Sequence, residues 1–442
     1  MNRALIIFTR IPEAGKTKTR LMPYFSDEEC AELHTCFLKD ISVAVRKVDA
    51  DILVFYTGGK PHALRKIFGG RAQYVEQEGE TLGDRMHNAI SSVLETGYES
   101  TVLIGTDIPS VNAGIIENAF RQIDDGQIVM GPTTDGGYYL IGMNTPVEEV
   151  FSLKQYGDGS VFDATVKAAD DSGFRVAMTE ELSDIDEPAD IAAFRSMMRN
   201  NNRFRNSNTG KMLTDTLKTS IIIPTFNEKN TIGRMLEQLK PYREDAEIIF
   251  ADGGSTDGTV EAIGDEFRVI KSGKGRAVQM NTAAKEAKGD VLFFLHCDSE
   301  LPKDITGEIR RCMANHQYGC FGVGFHSKNF FMLTNRVISN HRAFSRGLPF
   351  GDQGIFIDRE LFFDIGMFPE IPIMEDYELG RVLKARGIKP GRTGRRIYTS
   401  ARRYGKGTAG ILKTEFMMWD LRRKYRKGMS IDEIAERYRD IR

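Results

Sequence analysis

The feature that most constrains the fold of this chain is an opening pattern that occurs twice. RALIIFTRIPEAGKTKTRL begins at Arg3, and IIIPTFNEKN, from Ile221 to Asn230, brings a similar apolar run, proline and helix start near the middle of the chain. A length of 442 residues is too large for one ordinary hydrophobic core. A second opening of this kind therefore predicts a second domain with the same kind of fold.

Short apolar runs of strand length alternate with helical patterns in both halves. Ser26 and Glu29 have the spacing of a capping box at the start of one such helix. Alternation of buried strands with helices predicts βαβ units and mostly parallel sheets. The predicted fold class is therefore α/β, with two Rossmann-like domains in tandem. The strand candidates are Ala4–Phe8, Ile52–Tyr56, Val102–Ile104, Ile128–Met130, Ile221–Ile223, Glu247–Phe250 and Val291–Leu295.

The segment MRNNNRFRNSNTGKMLTDTLKT, from Met198 to Thr219, separates the two series. It is rich in asparagine and has no apolar period, which is typical of a linker. The alternative is a long surface loop within one domain, but the βα pattern restarts directly after the segment. We therefore predict one domain over residues 1–199, a linker over 200–218 and a second domain over 219–442.

Charge and cysteine content exclude some classes of protein. The chain has 60 Lys and Arg against 62 Asp and Glu, so no overall positive field favours nucleic acid, and no nucleic-acid partner is predicted. Its five cysteines are odd in number and scattered, which argues against a disulfide framework or a zinc site. No apolar run is long enough for a membrane-spanning helix. These features predict a cytoplasmic protein.

Residues 392–427 are rich in Lys and Arg, with only Glu415 and Asp420 opposing them. A solvated face and a contact with phosphate or an anionic membrane explain this equally well. ILKTEFMMWDLRRKY predicts a helix with Phe416 and Trp419 beside basic residues. This helix lies on a membrane surface or, as we favour, packs against its own domain. The final SIDEIAERYRDIR predicts a further helix without assignable chemistry.

Three strand ends in the second half carry polar residues. Pro224 ends the first strand, ahead of Phe226 for stacking on a nucleobase and of Asn227 or Glu228 for accepting from base or ribose. A buried Phe and a helix cap are the alternatives. Asp252 ends the next strand, and VLFFL leads into Asp298. Since a carboxylate at this edge suits Mg²⁺ or Mn²⁺ bridging a diphosphate, the three strand ends together indicate a nucleotide-sugar site.

These motifs resemble those of family 2 glycosyltransferases, which have the GT-A fold. The resemblance covers about residues 220–425 and runs through IIIPTFNE, ADGGSTDGT, GKGRAVQMN, FLHCDS, GDQGIFI, IPIMEDYELG and SARRY. LPFGDQGIF and the ARRY ending are similar to the soluble subgroup of the rSAM/selenodomain-associated transferase 2 type. The resemblance implies an inverting, metal-dependent transfer from a nucleotide-sugar donor to an unknown small-molecule or lipid-linked acceptor.

The resemblance also implies roles for individual residues. Asp376, in the pair Glu375–Asp376, is expected to be the general base that deprotonates the acceptor hydroxyl. Asp298 is expected to bind the metal ion, although the usual Asp-x-Asp is here His296-x-Asp298, in which His296 is either a second ligand or a packed imidazole. Asp352 and Gln353 are expected to line the acceptor and sugar pocket, and a turn before a strand is an equal alternative for Gln353. One arginine of the pair Arg402 and Arg403 is expected to neutralise the charge of the diphosphate. The expected donor-binding residues are Pro224, Phe226, Glu228, Asp252, Arg276, Asp298, Asp352, Gln353, Arg402 and Arg403.

The first half carries a loop that looks like a phosphate-binding P-loop. A Walker A motif needs a glycine five residues before Gly15, where this chain has Arg10. What remains is a strand, a glycine turn and three basic residues, Lys16, Lys18 and Arg20, which suit the phosphates of a nucleotide. Solvated basic side chains are the alternative.

Carboxylates follow the strands of the first half as well. TVLIGTDIPSV brings Asp107, and GPTTDGGYYLIG brings Asp135 and Gly136, where backbone can closely approach a ligand. LSDIDEPADI brings Asp184 and Asp186. Asp107 and Asp186 are expected to share a Mg²⁺ or Mn²⁺ ion between strand ends, with helix capping as the alternative for Asp186.

The motifs PEAGKTKTRL, QEGETLGDRM, LIGTDIPS, GPTTDGGYYLIG and DIDEPADI, within about residues 3–195, resemble the DUF2064 or rSAM/selenodomain-associated transferase 1 family. That family is GT-A-like and related to guanylyltransferases of cofactor synthesis, including that of the molybdenum cofactor. The resemblance implies a nucleotide-binding nucleotidyl- or glycosyltransferase without a particular product. The predicted protein is thus a bifunctional transferase with two GT-A-like domains. The alternative is one active glycosyltransferase joined to a non-catalytic, nucleotide-binding regulatory module.

Overall fold

The computed structural model describes residues 2–123, 126–152, 161–327, 329–399 and 407–439. The chain divides into two compact units, Met1–Leu213 and Thr214–Arg442. Within the residues that the structure describes, no helix combines the length and the apolar character needed to cross a lipid bilayer.

The strands of the first unit form one seven-stranded sheet. They are β1 (Arg3–Arg10), β2 (Asp51–Thr57), β3 (Gln73–Glu76), β4 (Ser100–Gly105), β5 (Gln127–Pro132), β6 (Tyr138–Met143) and β7 (Arg175–Met178). Their order in the sheet is β3-β2-β1-β4-β6-β5-β7. Strand β6 pairs antiparallel with both of its neighbours, and the other pairs are parallel.

The helices of the first unit cover both faces of this sheet. They are α1 (Asp27–Val45), α2 (His62–Phe68), α3 (Leu82–Glu95), α4 (Ala113–Gln122), α5 (Val161–Asp171), α6 (Pro188–Asn200), α7 (Asn202–Arg205) and α8 (Asn208–Asp215). Side chains of β1 alternate between two core layers, as the period of a strand requires. Leu5 and Ile7 pack with α1, α2 and α4, whereas Ala4 and Ile6 pack with α3 and α5.

The capping box predicted at the start of α1 is confirmed. The Ser26 hydroxyl accepts from the Glu29 backbone N–H at 3.2 Å, and the Ser26 N–H donates to the Glu29 carboxylate at 2.8 Å. Two of the N–H groups that a helix start leaves without partners are thereby satisfied.

The segment predicted as a linker contains α7 and α8. The Asp40 carboxylate accepts from the backbone N–H groups of Asn208 at 2.8 Å and Thr209 at 2.9 Å, so it caps the start of α8. Met212 and Leu213 are buried in a cluster with residues of α1 and α6. The segment therefore belongs to the first unit as far as Leu213, and its short helices are too brief to show an apolar period in the sequence.

The second unit repeats the sheet of the first. Its strands are β8 (Thr219–Thr225), β9 (Ala246–Asp252), β10 (Arg268–Lys271), β11 (Val291–Phe294), β12 (Tyr318–Gly324), β13 (Ile355–Asp358) and β14 (Gly391–Tyr398). Their order is β10-β9-β8-β11-β13-β12-β14, with β13 antiparallel to both neighbours. Position by position this is the order of the first sheet. The prediction of two GT-A-like α/β domains in tandem is confirmed.

The helices of the second unit again form two layers. They are α9 (Lys229–Leu239), α10 (Thr259–Ile263), α11 (Arg276–Glu286), α12 (Ile305–Met313), α13 (Phe330–Arg346), α14 (Arg359–Asp364), α15 (Glu375–Ala385), α16 (Gly407–Arg426) and α17 (Ile431–Arg439). Ile221 and Ile223 of β8 pack with α9 and α12, and Ile222 packs with α11, α14 and α15. Strand β8 continues one residue beyond Pro224, to Thr225.

Candidate functional site

The strand ends β8 and β9 of the second unit are joined by hydrogen bonds between their loops. The Asn227 side-chain oxygen accepts from the Thr256 N–H at 2.9 Å, and the Asn227 N–H donates to the Ser255 hydroxyl at 2.9 Å. Asn227 has a φ of 54°, in the left-handed region that Asn tolerates better than most residues. The two loops are thus held as one platform at the carboxyl edge of the sheet, where ligands bind in open α/β folds.

Phe226 lies on this platform with its ring partly exposed. The Lys274 ammonium lies 4.4 Å from the centre of the Phe226 ring. An exposed aromatic face beside a cation suits a flat, electron-rich, negatively charged ligand. The sequence prediction selected Phe226 but missed Lys274, which follows the glycine turn after β10.

The Asp252 side chain shapes its own loop. It is buried, and its carboxylate accepts from the backbone N–H groups of Gly254 at 2.9 Å and Ser255 at 3.0 Å. The Ser255 hydroxyl donates to the second carboxylate oxygen at 2.6 Å. Three of the acceptor positions of Asp252 are therefore used within the protein, and those that remain define where a ligand donor would bind.

Gln279 on α11 ties this platform to the helix below it. Its side-chain N–H groups donate to the backbone carbonyl groups of Thr225 at 2.7 Å and Ala251 at 2.8 Å. A side chain at Gly253 would place its Cβ 3.0 Å from the Gln279 amide carbon, so the absence of a side chain there lets the amide approach. No sequence signal pointed to Gln279, because it lies within a helix, away from the strand ends.

Glu228 occupies the N-cap position of α9, but its side chain makes no capping hydrogen bond to the backbone. Its carboxylate accepts from the Thr231 hydroxyl, one turn into α9, and its backbone N–H donates to the Thr259 hydroxyl at 2.8 Å. These contacts fix the start of α9 beside the start of α10.

Arg276, Glu375 and Asp376 meet at the starts of α11 and α15. A guanidinium nitrogen of Arg276 lies 3.4 Å from the Glu375 carboxylate, which is buried. Burial and the neighbouring Asp376 charge raise the pKa of Glu375, and Arg276 opposes this rise. Burial lowers the pKa of the Arg276 guanidinium, but the two carboxylates and Tyr438 more than offset it.

The Asp376 carboxylate is held by the backbone. One oxygen accepts from the Gly351 N–H at 2.7 Å, and the other accepts from the Tyr377 N–H at 2.7 Å. These two bonds fix the orientation of the carboxylate. Helix α15 begins directly after Met374, whose φ of 73° turns the chain so that both acids enter the first helical turn.

His296 contacts the same loop from the end of β11. A Cβ built on Gly351 would lie 2.6 Å from His296 Nε2 and 3.6 Å from an Asp376 carboxylate oxygen. The imidazole, the Gly351 backbone and the predicted general base therefore lie against one another. Asp298, two residues further along the chain, is exposed.

The metal prediction can be compared with these positions. In the residues that the structure describes, no group of three or more His, Cys, Asp or Glu side chains is arranged to hold a metal ion. Asp298 and His296 at one strand end supply fewer protein ligands than that. Such a site fits Mg²⁺ or Mn²⁺ only if one or two protein ligands bind the ion and substrate phosphates and water complete its coordination.

The GDQG loop contains a buried amide. Gln353 is fully buried, and its side-chain oxygen accepts from the Phe350 N–H at 3.2 Å and from Arg342 at 3.3 Å. These bonds shape the loop that carries Gly351 and the partly buried Asp352. Arg402 and Arg403, predicted to neutralise a diphosphate, lie outside the described residues.

Helices α16 and α17 pack over the start of α15. Leu421 of α16 and Ile434 of α17 are buried in one cluster with Met374 and Tyr377. Sequence analysis assigned no role to α17, because its apolar face has no distinctive motif. The structure places it beside the Glu375–Asp376 pair.

In the first unit, Lys18 lies between the two carboxylates predicted to share a metal ion. Its ammonium lies 2.6 Å from Asp107 and 3.5 Å from Asp186, and it donates to the Ile185 carbonyl at 2.7 Å. Arg20 lies 2.8 Å from the other Asp186 oxygen. The structure thus brings the predicted metal ligands together, but it also pairs them with the predicted phosphate-binding cations. Lys16 lies apart from them, exposed and paired with Glu13.

The electrostatics of this cluster follow from that pairing. Desolvation raises the pKa of Asp107, but Lys18, with His34 and Arg10, more than offsets it and leaves the pKa below its usual range. His34 was missed by the sequence analysis because it lies on the buried face of α1. Burial lowers the pKa of His34 to about 4, so this imidazole is neutral near pH 7.

A second pair of carboxylates lies beside the cluster. Asp135 accepts from the Gly137 N–H at 3.1 Å and from the Thr133 hydroxyl, in a turn where Gly136 has a φ of 88°. Burial and the Asp135 charge raise the pKa of Asp184 to about 6. Because each of these acids opposes the ionisation of the other, a bound cation would reduce their mutual repulsion.

Family comparisons agree with the motifs of both units. Residues 220–368 match the model of glycosyl transferase family 2. This match lies within the second unit, Thr214–Arg442. Residues 41–158 match DUF2064, described as an uncharacterized protein conserved in bacteria. Both predicted family resemblances are therefore confirmed.

Two curated relatives illustrate the match. The uncharacterized glycosyltransferase YfnE of Bacillus subtilis (strain 168) is 33% identical over 110 residues, which are 23% of this chain and 28% of that protein. The 2-phospho-L-lactate guanylyltransferase of Methanosphaera stadtmanae is 29% identical over 153 residues, 33% of this chain and 63% of that protein. The chain covers 28% to 63% of the lengths of the curated relatives that it matches.

Solved structures match more distantly. A protein of Desulfovibrio desulfuricans G20 described as a nucleotide-diphospho-sugar transferase is 28% identical, with a TM-score of 0.45, and the match covers 49% of this chain and 95% of that one. Three further matches, 16% to 19% identical with TM-scores of 0.32 to 0.36, were solved with Mn²⁺ and a nucleotide or nucleotide sugar.

Proposed function

We propose that the second unit transfers a sugar from a nucleotide-sugar donor to an acceptor hydroxyl with inversion. The observation that carries this proposal is the meeting of three features at one edge of the sheet. These are the Phe226–Lys274 platform, the end of β11 at Asp298, and Asp376 held against Gly351. A base, a diphosphate and a reacting sugar need such an order along one edge.

In the proposed reaction Asp376 takes the proton of the acceptor hydroxyl. The acceptor oxygen then forms a bond to the anomeric carbon while the bond from that carbon to the diphosphate oxygen breaks, and the nucleoside diphosphate leaves with the electron pair. The backbone bonds from Gly351 and Tyr377 keep the Asp376 carboxylate oriented. Glu375, buried against Arg276, positions that guanidinium near the nucleotide.

Asp298, with His296 as a second ligand, would hold Mg²⁺ or Mn²⁺. When bound, the ion supplies charge that stabilises the leaving diphosphate. On the protein side, Phe226 and Asp252 would bind the base. Asp352 would face the acceptor, which is a small molecule or a lipid-linked hydroxyl compound.

We infer that the first unit is a nucleotide-binding nucleotidyl- or glycosyltransferase. Lys18 and Arg20 are already paired with Asp107 and Asp186, so a nucleotide with a divalent ion would exchange partners there: the carboxylates for the ion, the cations for phosphate. The non-catalytic regulatory module stays the alternative. All five cysteines are buried and free, which fits the cytoplasmic location that we propose.

Calorimetry with UDP- and GDP-sugars in the presence of Mn²⁺ tests the second unit. We expect one donor class to bind, and Asp298→Ala to weaken it about tenfold or more. Asp265→Ala removes an exposed acid elsewhere in the same unit and is the matched control. A protein that binds none of these donors, or an Asp298→Ala variant that binds as the parent does, would contradict the proposal.

Release of pyrophosphate from GTP, CTP or UTP, with 2-phospho-L-lactate as the first acceptor probe, tests the first unit. Arg20→Ala should lower such release about tenfold, since it removes a charge-assisted contact to phosphate. Arg71→Ala, an exposed arginine of the same unit, should not. Nucleotide binding without any release would favour the regulatory module.

A further inference from the structure

Helix α13 presents apolar side chains to solvent. Phe330 is 72% exposed, and Leu333, Val337 and Ile338 are exposed as well. Their spacing of three, seven and eight residues places them on one face of the helix. The opposite face, with Met332 and Ala343, is buried against the unit.

Helix α16 has two apolar faces. One, with Leu421 and Met418, packs on the cluster that covers the start of α15. The other carries Leu412, Phe416 and Trp419, of which Phe416 is 66% exposed. The rings of Phe416 and Trp419 lie 5.9 Å apart. The helix therefore packs against its own domain on one side and leaves an aromatic stripe on the other.

The two stripes begin side by side. The Asn329 side-chain amide, at the start of α13, donates to the Thr408 hydroxyl in the first turn of α16 at 3.3 Å. We call the seven exposed side chains of the two helices the apolar stripes. They are Phe330, Leu333, Val337, Ile338, Leu412, Phe416 and Trp419.

Basic residues accompany the apolar stripes. Helix α13 contains three arginines and no acid, and α16 contains five Lys and Arg against Glu415 and Asp420. Asp420 lies 2.5 Å from Lys424, so one of the acids is neutralised. The Arg423 guanidinium lies 5.4 Å from the centre of the Trp419 ring. Exposed aromatic residues beside an excess of basic over acidic residues are features of a helix at an anionic membrane surface.

Charge decides among the occupants of this surface. A second copy of the chain docked on the stripes would bring basic residues against basic residues, which like-charge repulsion opposes. An anionic lipid surface satisfies the apolar side chains and the basic ones together. We propose that the apolar stripes of α13 and α16 dock the protein on an anionic lipid bilayer.

Both helices also contact the loop beside the predicted general base. Arg342 of α13 lies 3.4 Å from the centre of the Phe350 ring, and Arg422 of α16 lies 5.5 Å from it. The next residue, Gly351, donates to Asp376. Docking at the stripes thus places a membrane one loop away from Asp376. This selects a lipid-linked acceptor, a step that rests on the proposed function.

Flotation of the full-length protein with vesicles tests the docking. We expect binding to phosphatidylcholine vesicles that contain phosphatidylglycerol, and about tenfold weaker binding to phosphatidylcholine alone. Two double variants, Phe416→Ser with Trp419→Ser and Phe330→Ser with Val337→Ser, should each lower binding to anionic vesicles about tenfold. Val43→Ser with Met178→Ser changes two equally exposed apolar residues of the first unit and should leave it unchanged.

The outcomes separate docking from donor chemistry. Donor binding by calorimetry should be the same in the parent and the stripe variants, which also shows that the variants are folded. Absence of flotation, equal flotation on neutral vesicles, or flotation unaffected by both stripe variants would overturn the docking even if donors bind. If sedimentation showed a dimer in the parent and a monomer in the stripe variants, the membrane docking would be overturned in favour of a second copy of the chain on the apolar stripes.

Discussion

The two units share a strand order but treat the carboxylates at the sheet edge in opposite ways. In the first unit the Lys18 ammonium lies 2.6 Å from Asp107 and 3.5 Å from Asp186. In the second unit Asp298 is exposed, and the Arg276 guanidinium lies 3.4 Å from the Glu375 carboxylate. One edge is neutralised from within the chain, and the other presents its charge to a ligand.

This difference shows what a fold does and does not determine. The strand order fixes where side chains from distant parts of the chain meet, because the carboxyl ends of parallel strands share an edge. A few side chains then set the charge of that edge. We expect a ligand of the first unit to displace an internal ion pair, and a ligand of the second unit to bring a cation to the exposed carboxylate.

The largest expected effect tests the exposed edge. Asp376→Asn keeps the shape of the side chain but removes the proton acceptor, so sugar transfer should fall about a thousandfold in kcat with little change in donor affinity. Steady-state kinetics with the donor found by calorimetry measure it. Glu360→Gln, an exposed acid on α14, is the control. Full activity of Asp376→Asn would remove the chemical contrast between the two units.

The next effect concerns the contact of His296 with the loop. Gly351→Ala would place a Cβ 2.6 Å from His296 Nε2, so the imidazole or the loop must move. Activity should fall about a hundredfold through displacement of Asp376. Gly233→Ala, on α9 with no atom near its Cβ, should leave activity unchanged. If both variants had the same activity, the close approach of His296 to Gly351 would not matter for catalysis.

A smaller effect tests the neutralised edge. Lys18→Met should lower the free energy of unfolding by about 2 kcal/mol, because Asp107 and Asp186 lose the buried ammonium between them. Lys16→Met, exposed in the same loop, should change it by no more than about 0.5 kcal/mol. Denaturant titrations measure both. An unchanged stability for Lys18→Met would mean that the internal ion pair is not what distinguishes the first unit.

The smallest effect depends on pH. The pKa of Asp184 is raised to about 6 in the folded protein, so its contribution favours folding below its unfolded pKa and is lost as pH rises through 6. The free energy of unfolding of Asp184→Asn, taken relative to that of the parent, should therefore rise by about 1 kcal/mol between pH 4 and pH 7. Denaturant titrations at both pH values give the difference. A change in the opposite direction would show that burial and the Asp135 charge do not oppose the ionisation of Asp184.

The sequence predicted where strands end along the chain better than it predicted which side chains pair between distant segments. Strand ends could be located because apolar runs stop abruptly, and this placed Asp107, Asp252 and Asp298 at sheet edges. The pairing of Lys18 with Asp107 was not predictable, since it depends on a left-handed backbone at Lys18, with a φ of 54°, and on contacts between distant segments. A local pattern contains neither.

Parts of the fold outside the sheets were also beyond the sequence. Helices α7 and α8 are short, and their asparagines are typical of loops, so they were interpreted as a linker. Helix α16 was predicted as a helix, but periodicity could not show that it buries one apolar face and exposes another. These features depend on which surfaces meet in three dimensions.

The amide of Gln279 has a consequence for how such a domain can diversify. One side chain joins the carbonyl groups that end two neighbouring strands, at 2.7 and 2.8 Å. Asparagine is too short to reach both, and glutamate would set an acceptor against two acceptors. With the strand ends fastened in this way, the loops beyond them are free to change length and chemistry without loosening the sheet. New specificity can therefore be acquired by loop replacement, at little cost to the framework that presents it.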